Sequence, residues 1–165
     1  MERSRQVSRL LDEEHTASLD ILCQVEQRLG RLSSSSVPTD PELGALIARF
    51  VHYLSRDVAR HFEFEEGELF PRLEDSGDGD IVLLLREEHD AMRELASELV
   101  PQAESAMHGT LDAEGLRRLR SAALEMVERQ VAHIQKEAMA LLPMLDDLLD
   151  EETDQQLALS YAASG

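Results

Sequence analysis

Apolar residues recur along most of the chain at intervals of three and four positions, the spacing that places them on one face of an α-helix. The first such run extends from about residue 3 to residue 31, where Gly30 and the polar segment 33–38 end it. No run shows the alternation with a period of two that is typical of a half-buried strand. The pattern therefore predicts an all-α protein. The apolar positions of this first helix are Val7, Leu10, Leu11, Leu19, Leu22 and Val25.

A second helix is indicated by the residues at its start. Asp40 can cap the free backbone N–H groups, and Pro41 suits the first helical position, where no N–H partner is needed. The helix should reach about residue 73. Pro71 should kink or end it, because proline cannot donate the backbone hydrogen bond of a helix interior.

The remaining helices follow a turn and a second cap. The turn-forming segment 76–79 precedes a third helix from about residue 80 to residue 107, with a bend expected at Pro101. Asp112 can cap a fourth helix that continues to about residue 149. Four helices with short connections predict an antiparallel up-down-up-down four-helix bundle.

The domain organisation is simple. The 165 residues suffice for one domain, and we assign residues 1–150 to the bundle and residues 151–165 to a C-terminal tail. The apolar positions in that last segment also allow a short fifth helix.

Composition and charge narrow the classes of function. The chain is 42% hydrophobic and 30% charged, and its 34 acidic against 16 basic residues give a formal charge of −18. Nucleic-acid binding needs clustered positive charge, so it is not expected. No run approaches the ~20 apolar residues that span a bilayer, and the N-terminus lacks the apolar region of a signal peptide. A single cysteine excludes an internal disulfide, and a cytoplasmic location is favoured.

The same helical hairpin occurs twice in the sequence. Residues 10–17 and 84–91 share the pattern Leu-Leu-x-Glu-Glu-His-x-Ala. Residues 61–71 and 133–143 share a His, a Glu four positions later, and a Pro ten positions after the His. The two halves agree in order as well as in pattern, which indicates an internal duplication.

The duplication selects candidate ligands among many polar residues. Four of the six histidines have a counterpart in the other half, whereas His52 falls opposite Leu124 and His108 is not repeated. Among the crowded glutamates at positions 63–68, only Glu65 has an acidic counterpart in the other half, Glu137. Because residues i and i+4 share a helix face, each His-x-x-x-Glu can present both groups to the bundle interior. The selected residues are His15, His61, Glu65, His89, His133 and Glu137.

The chemistry of this set favours a pair of metal ions. Six such groups would be costly to bury without partners, and metal ions would remove that cost. Two imidazoles per ion with shared carboxylates suit non-haem iron, and manganese or a mixed pair is left open. Two divalent cations exceed the charge of two glutamates, so a bridging oxo or hydroxo group is expected, with a coordination position open to a small molecule. A polar core without metal is the alternative.

These residues resemble the ligand pattern of the hemerythrin-like (HHE cation-binding) domains, and the resemblance covers about residues 10–145. It implies a di-iron centre within a four-helix bundle that reacts with dioxygen, nitric oxide or peroxide. On this basis we expect His15 and His61 to hold one iron and His89 and His133 the other. Glu65 and Glu137 should bridge the two ions.

Two departures separate the chain from oxygen-carrying hemerythrins. Those proteins have a further histidine four residues after that of the third helix, where this chain has Arg93, and a longer His-to-Asp spacing on the fourth helix. Simple reversible oxygen carriage is therefore in doubt. Our hypothesis is that Arg93 pairs with Glu68 and gates the open position. Glu68 is also a candidate additional ligand.

Other polar residues near the set receive more ordinary assignments. Asp57 and Arg129, each four residues before a selected histidine, either orient that imidazole or form surface ion pairs. Tyr53 and Tyr161 lie outside the periodicity of the ligands, so no redox role is assigned to them. The acidic residues beside the first histidine of each half should be solvated; they are Glu13, Glu14, Glu87 and Glu88.

The leading functional prediction is binding of a small molecule at the open iron, for sensing, scavenging or defence against oxidative or nitrosative stress. An alternative is a di-iron enzyme that dismutates peroxide or reduces nitric oxide, with catalytic residues still unassigned. A second alternative is a folding switch, in which metal or oxygen occupancy controls folding and a protein partner reads the folded state. The sequence indicates no particular partner.

Overall fold

The computed structural model describes residues 5–32 and 40–165, and within these ranges the chain is helical without strands. The first four helices form a closed ring in which each packs on its neighbours in the chain and α1 packs on α4. The all-α four-helix bundle predicted from the sequence is confirmed, with a further helix at the C-terminus. The helices are α1 (Gln6–Gly30), α2 (41–75), α3 (Gly79–Met107), α4 (113–148) and α5 (Glu151–Ala163).

The predicted helix starts coincide with side-chain caps. The Asp40 carboxylate accepts the backbone N–H of Glu42 at 2.9 Å, and Pro41 follows as the first residue of α2. The Asp112 carboxylate accepts the N–H of Gly115 at 2.7 Å at the start of α4. Each cap satisfies an N–H group that has no partner within its helix, so local chemistry fixes these boundaries.

Three π-helical segments interrupt the α-helical hydrogen bonding. Tyr53–Val58 and Glu65–Leu69 lie within α2, and Glu137–Leu141 lies within α4. The second and third each end two residues before a proline, Pro71 and Pro143. The π segment shifts the hydrogen-bond pattern by one residue, which helps the helix to continue past a residue without an N–H. Consequently α2 continues to Asp75 and does not end at Pro71.

Two apolar clusters fill the bundle, one toward each end. Along α1, His15 lies between Leu11 of one cluster and Leu22 of the other. Along α3, His89 lies in the same way between Leu85 and Met92. The apolar packing that holds the helices together therefore encloses a polar layer at mid-length.

Helix α5 packs against α1 and is anchored at the start of that helix. The Asp154 carboxylate accepts the backbone N–H groups of Gln6 and Val7, both at 2.9 Å. Leu157 and Tyr161 of α5 are buried. Of the two interpretations of the last segment, the short fifth helix is correct.

A few apolar residues of the helices are exposed. Met139 is 82% exposed, because it lies two residues after the buried Glu137 and therefore on the opposite side of α4. Leu19 is 39% exposed at the edge of the buried stripe of α1, and Cys23 is exposed as well. Within the described ranges, no helix combines the length and apolar character required to cross a membrane.

Candidate metal centre

All six residues selected by the duplication meet in the polar layer. His15 comes from α1 and His89 from α3, while each even-numbered helix contributes a His and a Glu. They form two groups that share Glu65 and Glu137, one with His15 and His61 and one with His89 and His133. In each group, one potential ligand atom per residue lies within 4.8 Å of the others. All six side chains are buried.

Each glutamate directs its two oxygens to different histidine pairs. Glu65 Oε1 lies 2.5 Å from His61 Nε2, and Glu65 Oε2 lies 3.2 Å from His89 Nε2. Glu137 Oε2 lies 3.4 Å from His15 Nε2, and its Oε1 contacts His133 Nε2. A carboxylate in this position can bridge two cations.

Most polar atoms of the cluster lack a conventional partner. Apart from these histidine–glutamate contacts, neither oxygen of Glu65 or Glu137, neither ring nitrogen of His15, nor Nδ1 of His89 has a hydrogen-bond partner among the described residues. Buried polar atoms are rarely left in this state, because each carries a desolvation cost. The donor set contains only imidazole nitrogens and carboxylate oxygens, so it fits hard or borderline cations. Ordinary hydrogen bonding does not satisfy this layer, which argues against a metal-free polar core.

The comparison with known families agrees with this geometry. A family model described as the hemerythrin HHE cation-binding domain matches residues 6–151. The chain belongs to the hemerythrin HHE family. A search of curated proteins finds no match. The match spans the four-helix bundle and all six clustered residues but excludes most of α5.

Two outer carboxylates fix the histidines of this hemerythrin HHE domain. His61 Nδ1 lies 2.8 Å from Glu14 Oε2, and His133 Nδ1 lies 2.8 Å from Glu88 Oε2. Such contacts hold each Nδ1 as a donor, so that Nε2 faces the centre of the cluster. The prediction that Glu14 and Glu88 are ordinary solvated residues is therefore wrong. The duplication carried the signal, because both glutamates directly precede a selected histidine.

The outer carboxylates have different partners in the two halves. Tyr161 of α5 donates its hydroxyl to Glu14 Oε2 at 2.5 Å, and Arg60 lies 3.3 Å from Glu14 Oε1. Glu88 instead accepts a hydrogen bond from Lys136. Tyr161 is thus two hydrogen bonds from His61. Its place in α5, beyond the repeated hairpins, explains why the duplication does not reveal it.

Asp57 and Arg129 do not orient the histidines. Arg129 pairs with Glu125 on the surface of α4, at 2.9 Å. Asp57 is exposed. Residues four positions before the histidines lie on the same helix as the imidazole, whereas the observed partners Glu14 and Glu88 approach from the neighbouring helix.

Aromatic rings cover the second half of the centre, which is the group that contains His89 and His133. The Phe62 ring stacks on His89 with centroids 3.7 Å apart and an interplanar angle of 8°, and Phe70 lies 5.5 Å from the same imidazole. Arg93 lies 5.5 Å above the Phe62 ring and donates to Glu66 at 2.8 Å. These contacts place an apolar and ion-paired cover over His89.

The predicted pairing of Arg93 with Glu68 is wrong. Glu66 is the partner, and the Arg93 guanidinium lowers the pKa of that carboxyl. Glu68 is exposed and belongs to neither group of potential ligands. Both glutamates lie in the π segment Glu65–Leu69, whose altered register invalidates an argument from regular helical spacing.

The first half of the centre, the group that contains His15 and His61, borders a cavity of about 620 Å³ between α1 and α2. His15, His61, His133 and Glu137 lie on its wall, whereas His89 does not. His52 also borders the cavity and is exposed. It lies nine residues before His61, a spacing that predicts opposite sides of a regular helix. The two halves of the centre therefore share a ligand pattern but differ in access.

Electrostatics couple the buried groups in the absence of metal. Burial lowers the pKa of His133, but Glu137 and Glu88 outweigh burial and raise it to about 9. Burial raises the pKa of Glu137, but the facing histidines outweigh it and hold that pKa well below its usual range. The metal-free layer is therefore stabilised by ion pairs between protonated histidines and ionised glutamates. The histidines must lose these protons before a metal ion binds.

Proposed function

We propose that the chain is a non-haem di-iron protein that binds a small molecule, dioxygen, nitric oxide or peroxide, in sensing, scavenging or stress defence. His15 and His61 would hold one iron, and His89 and His133 the other. The observation that carries the proposal is the pair of four-residue groups that share Glu65 and Glu137. When bound, the iron pair would supply coordination of the small molecule and a change of oxidation state.

The surroundings support iron more than a structural zinc ion. Structural zinc sites are usually closed, tetrahedral and rich in cysteine, whereas this cluster contains no thiol. Two imidazoles and shared carboxylates per ion resemble the donor set of non-haem iron proteins. Two glutamates balance only half of the charge of two divalent ions, so we expect a bridging oxo or hydroxo group.

Access favours the first half as the position where the small molecule binds. The cavity leads to His15 and His61, while Phe62 and Phe70 cover His89. Glu14 and Glu88 would keep the Nε2 atoms of His61 and His133 directed at the ions. The protein would thus hold two irons and expose chiefly the one bound by His15 and His61.

Metal analysis of protein purified without an affinity tag tests the proposal. We expect about two irons per chain and a reversible spectral change when the reduced protein meets dioxygen or nitric oxide. The double variant E65A/E137A should lose nearly all tightly bound iron. The matched control is E63A/Q135A, which changes two exposed residues at equivalent positions of the two halves. Stoichiometric iron in E65A/E137A would count against the bridging roles.

The enzymatic alternative predicts a different result in the same experiment. A binding protein should take up peroxide or nitric oxide in proportion to its iron and then stop. Catalytic release of dioxygen from added hydrogen peroxide would instead indicate a peroxide-dismutating enzyme.

A further inference from the structure

The cavity beside the first half of the centre is much larger than its proposed small ligands require. Its volume is about 620 Å³, whereas a water molecule occupies only ~30 Å³ in the liquid, and diatomic molecules are of similar size. Pockets that hold organic ligands span about 300–1,000 Å³. The cavity therefore has the volume of a site for an organic molecule.

Most of the surface of the cavity wall is apolar, although charged side chains of α1 and α2 also line it. Ala17 and Ile21 of α1 face Ala48, Val58 and Phe62 of α2, and Ile134 of α4 forms part of the floor. Such a wall suits a hydrocarbon body, because burial of apolar surface is the main source of affinity at such sites.

One polar group in this wall lacks a partner. Gln130 is only 2% exposed, and its Nε2 donates no hydrogen bond within the described part of the chain. It lies about one helical turn before His133 on α4, and the residue lines the cavity. A buried donor without an acceptor carries a desolvation cost, which a ligand with an acceptor atom would remove.

The backbone around the cavity also differs between the two halves. The π segment Tyr53–Val58 contributes Tyr53, Asp57 and Val58 to the cavity wall. The equivalent residues 125–130 of α4 are regular α-helix. Such π segments often mark functional sites, and this one has no counterpart in the duplicated half. The second half has a smaller cavity of about 380 Å³ beside Glu88, at the equivalent position, but none of the six clustered residues lines it, so only the larger cavity reaches the candidate ligands.

We propose that this cavity binds an organic hydroperoxide, a molecule with an apolar body and a neutral peroxide head. The apolar body lies against Ile21, Ala48 and Phe62. A peroxide oxygen accepts a hydrogen bond from the Gln130 amide, beside His15 and His61. A neutral head suits a cavity that ends at the buried carboxylate of Glu137. The inference rests on the proposed function, since it names the class of peroxide that the centre receives.

Binding is tested with 2-phenyl-2-propanol, the redox-inert alcohol that has the same body as cumene hydroperoxide. Titration calorimetry on the full-length protein as purified should show saturable binding of one alcohol per chain. The variant A48F fills the cavity and should weaken binding at least tenfold. The control A45F adds the same ring to an exposed alanine on α2 that does not line the cavity, and should bind like the parent protein.

The role of Gln130 is tested by removing the head of the probe or the amide of the protein. Q130L should weaken binding of the alcohol roughly three- to tenfold, which corresponds to the loss of one hydrogen bond. Binding of cumene, which has the body but no head, should not weaken in Q130L. Equal loss for both compounds would show that the change affects packing alone and would overturn the head-group assignment.

The outcomes separate this inference from the proposed function. Failure of the alcohol to bind at millimolar concentration, or equal binding to A48F and A45F, overturns the inference even if two irons and a nitric oxide spectrum are present. Cavity binding in a protein without iron supports an organic-ligand site and contradicts the di-iron function. In A48F the iron content should remain at the parent value.

Discussion

The two halves of the centre have the same arrangement, two histidines and the two shared glutamates, yet their surroundings differ. Around His61, Glu14 is held by Tyr161 and Arg60, and the nearby wall is open on the cavity. Around His89, two phenylalanine rings and the Arg93–Glu66 pair form a cover. The duplication thus accounts for the capacity to hold a metal pair. The later differences between the copies determine which ion a ligand can reach.

The largest expected effect comes from removal of the metal that both halves share. Without cations, the buried oxygens of Glu65 and Glu137 keep only their ion-pair contacts with the histidines, so the free energy of unfolding should fall by several kcal/mol. For a chain of this size, the corresponding decrease in Tm is roughly 10 °C or more. Thermal unfolding followed by circular dichroism, with and without a strong chelator, measures it.

The E65A/E137A variant is the reference for that experiment. Its Tm should not respond to the chelator, because it binds little metal. A parent protein with the same Tm in both conditions would contradict both the metal pair and the folding-switch alternative.

The next effect distinguishes the halves through their outer carboxylates. E14Q and E88Q each weaken the support of one histidine and should lower the affinity for one iron by about 10- to 100-fold. Each variant should therefore retain about one tightly bound iron. E14Q should reduce the nitric oxide spectrum more than E88Q, because both histidines of the first group border the cavity, whereas only His133 of the second group does. Identical spectra in the two variants would refute the difference in access.

The pH dependence of metal binding should follow the protons of the histidines. The raised pKa of His133, about 9 against its ordinary value of 6.5, means that its proton stabilises the metal-free fold. That stabilisation is fully present below pH 6.5 and is lost as the pH rises through about 9. A bound metal displaces the proton, so metal affinity should rise across this interval. Competition with a chelator at several pH values measures it, and a flat profile would contradict it.

The smallest expected effect concerns the partners of the outer carboxylates. Y161F removes one part-buried hydrogen bond to Glu14, worth about 1 kcal/mol. It should lower the affinity for the iron bound by His15 and His61 a few-fold. The matched variant K136M acts on Glu88 in the other half, where the exposed ammonium should matter less. Iron affinities of the two variants provide the comparison. A larger loss in K136M would show that α5 contributes little to the centre.

Local patterns predict most of the fold and the inner part of the site. Capping by Asp40 and Asp112 is a local property, so the helix starts follow from the sequence. The buried ligands follow from the duplication, because a requirement of the bundle interior recurs at equivalent positions of both halves.

Residues that act across the fold are harder to predict. Tyr161 reaches Glu14 only because α5 packs on α1, which depends on tertiary contacts such as that of Asp154 with Val7. The choice of Glu66 over Glu68 by Arg93 depends on a π segment that regular spacing does not represent. The cavity likewise follows from the arrangement of several helices, which no single periodic pattern encodes.

The central claim is that Glu65 and Glu137 are shared by two iron ions. Anaerobic titration of the metal-free protein with ferrous iron, followed by X-ray absorption at the iron edge, tests it most directly. The proposal predicts saturation at about two irons per chain, with an iron–iron separation of about 3.5–4 Å, as in other two-metal sites. Saturation at one iron, or two irons without a neighbour at that distance, would contradict it.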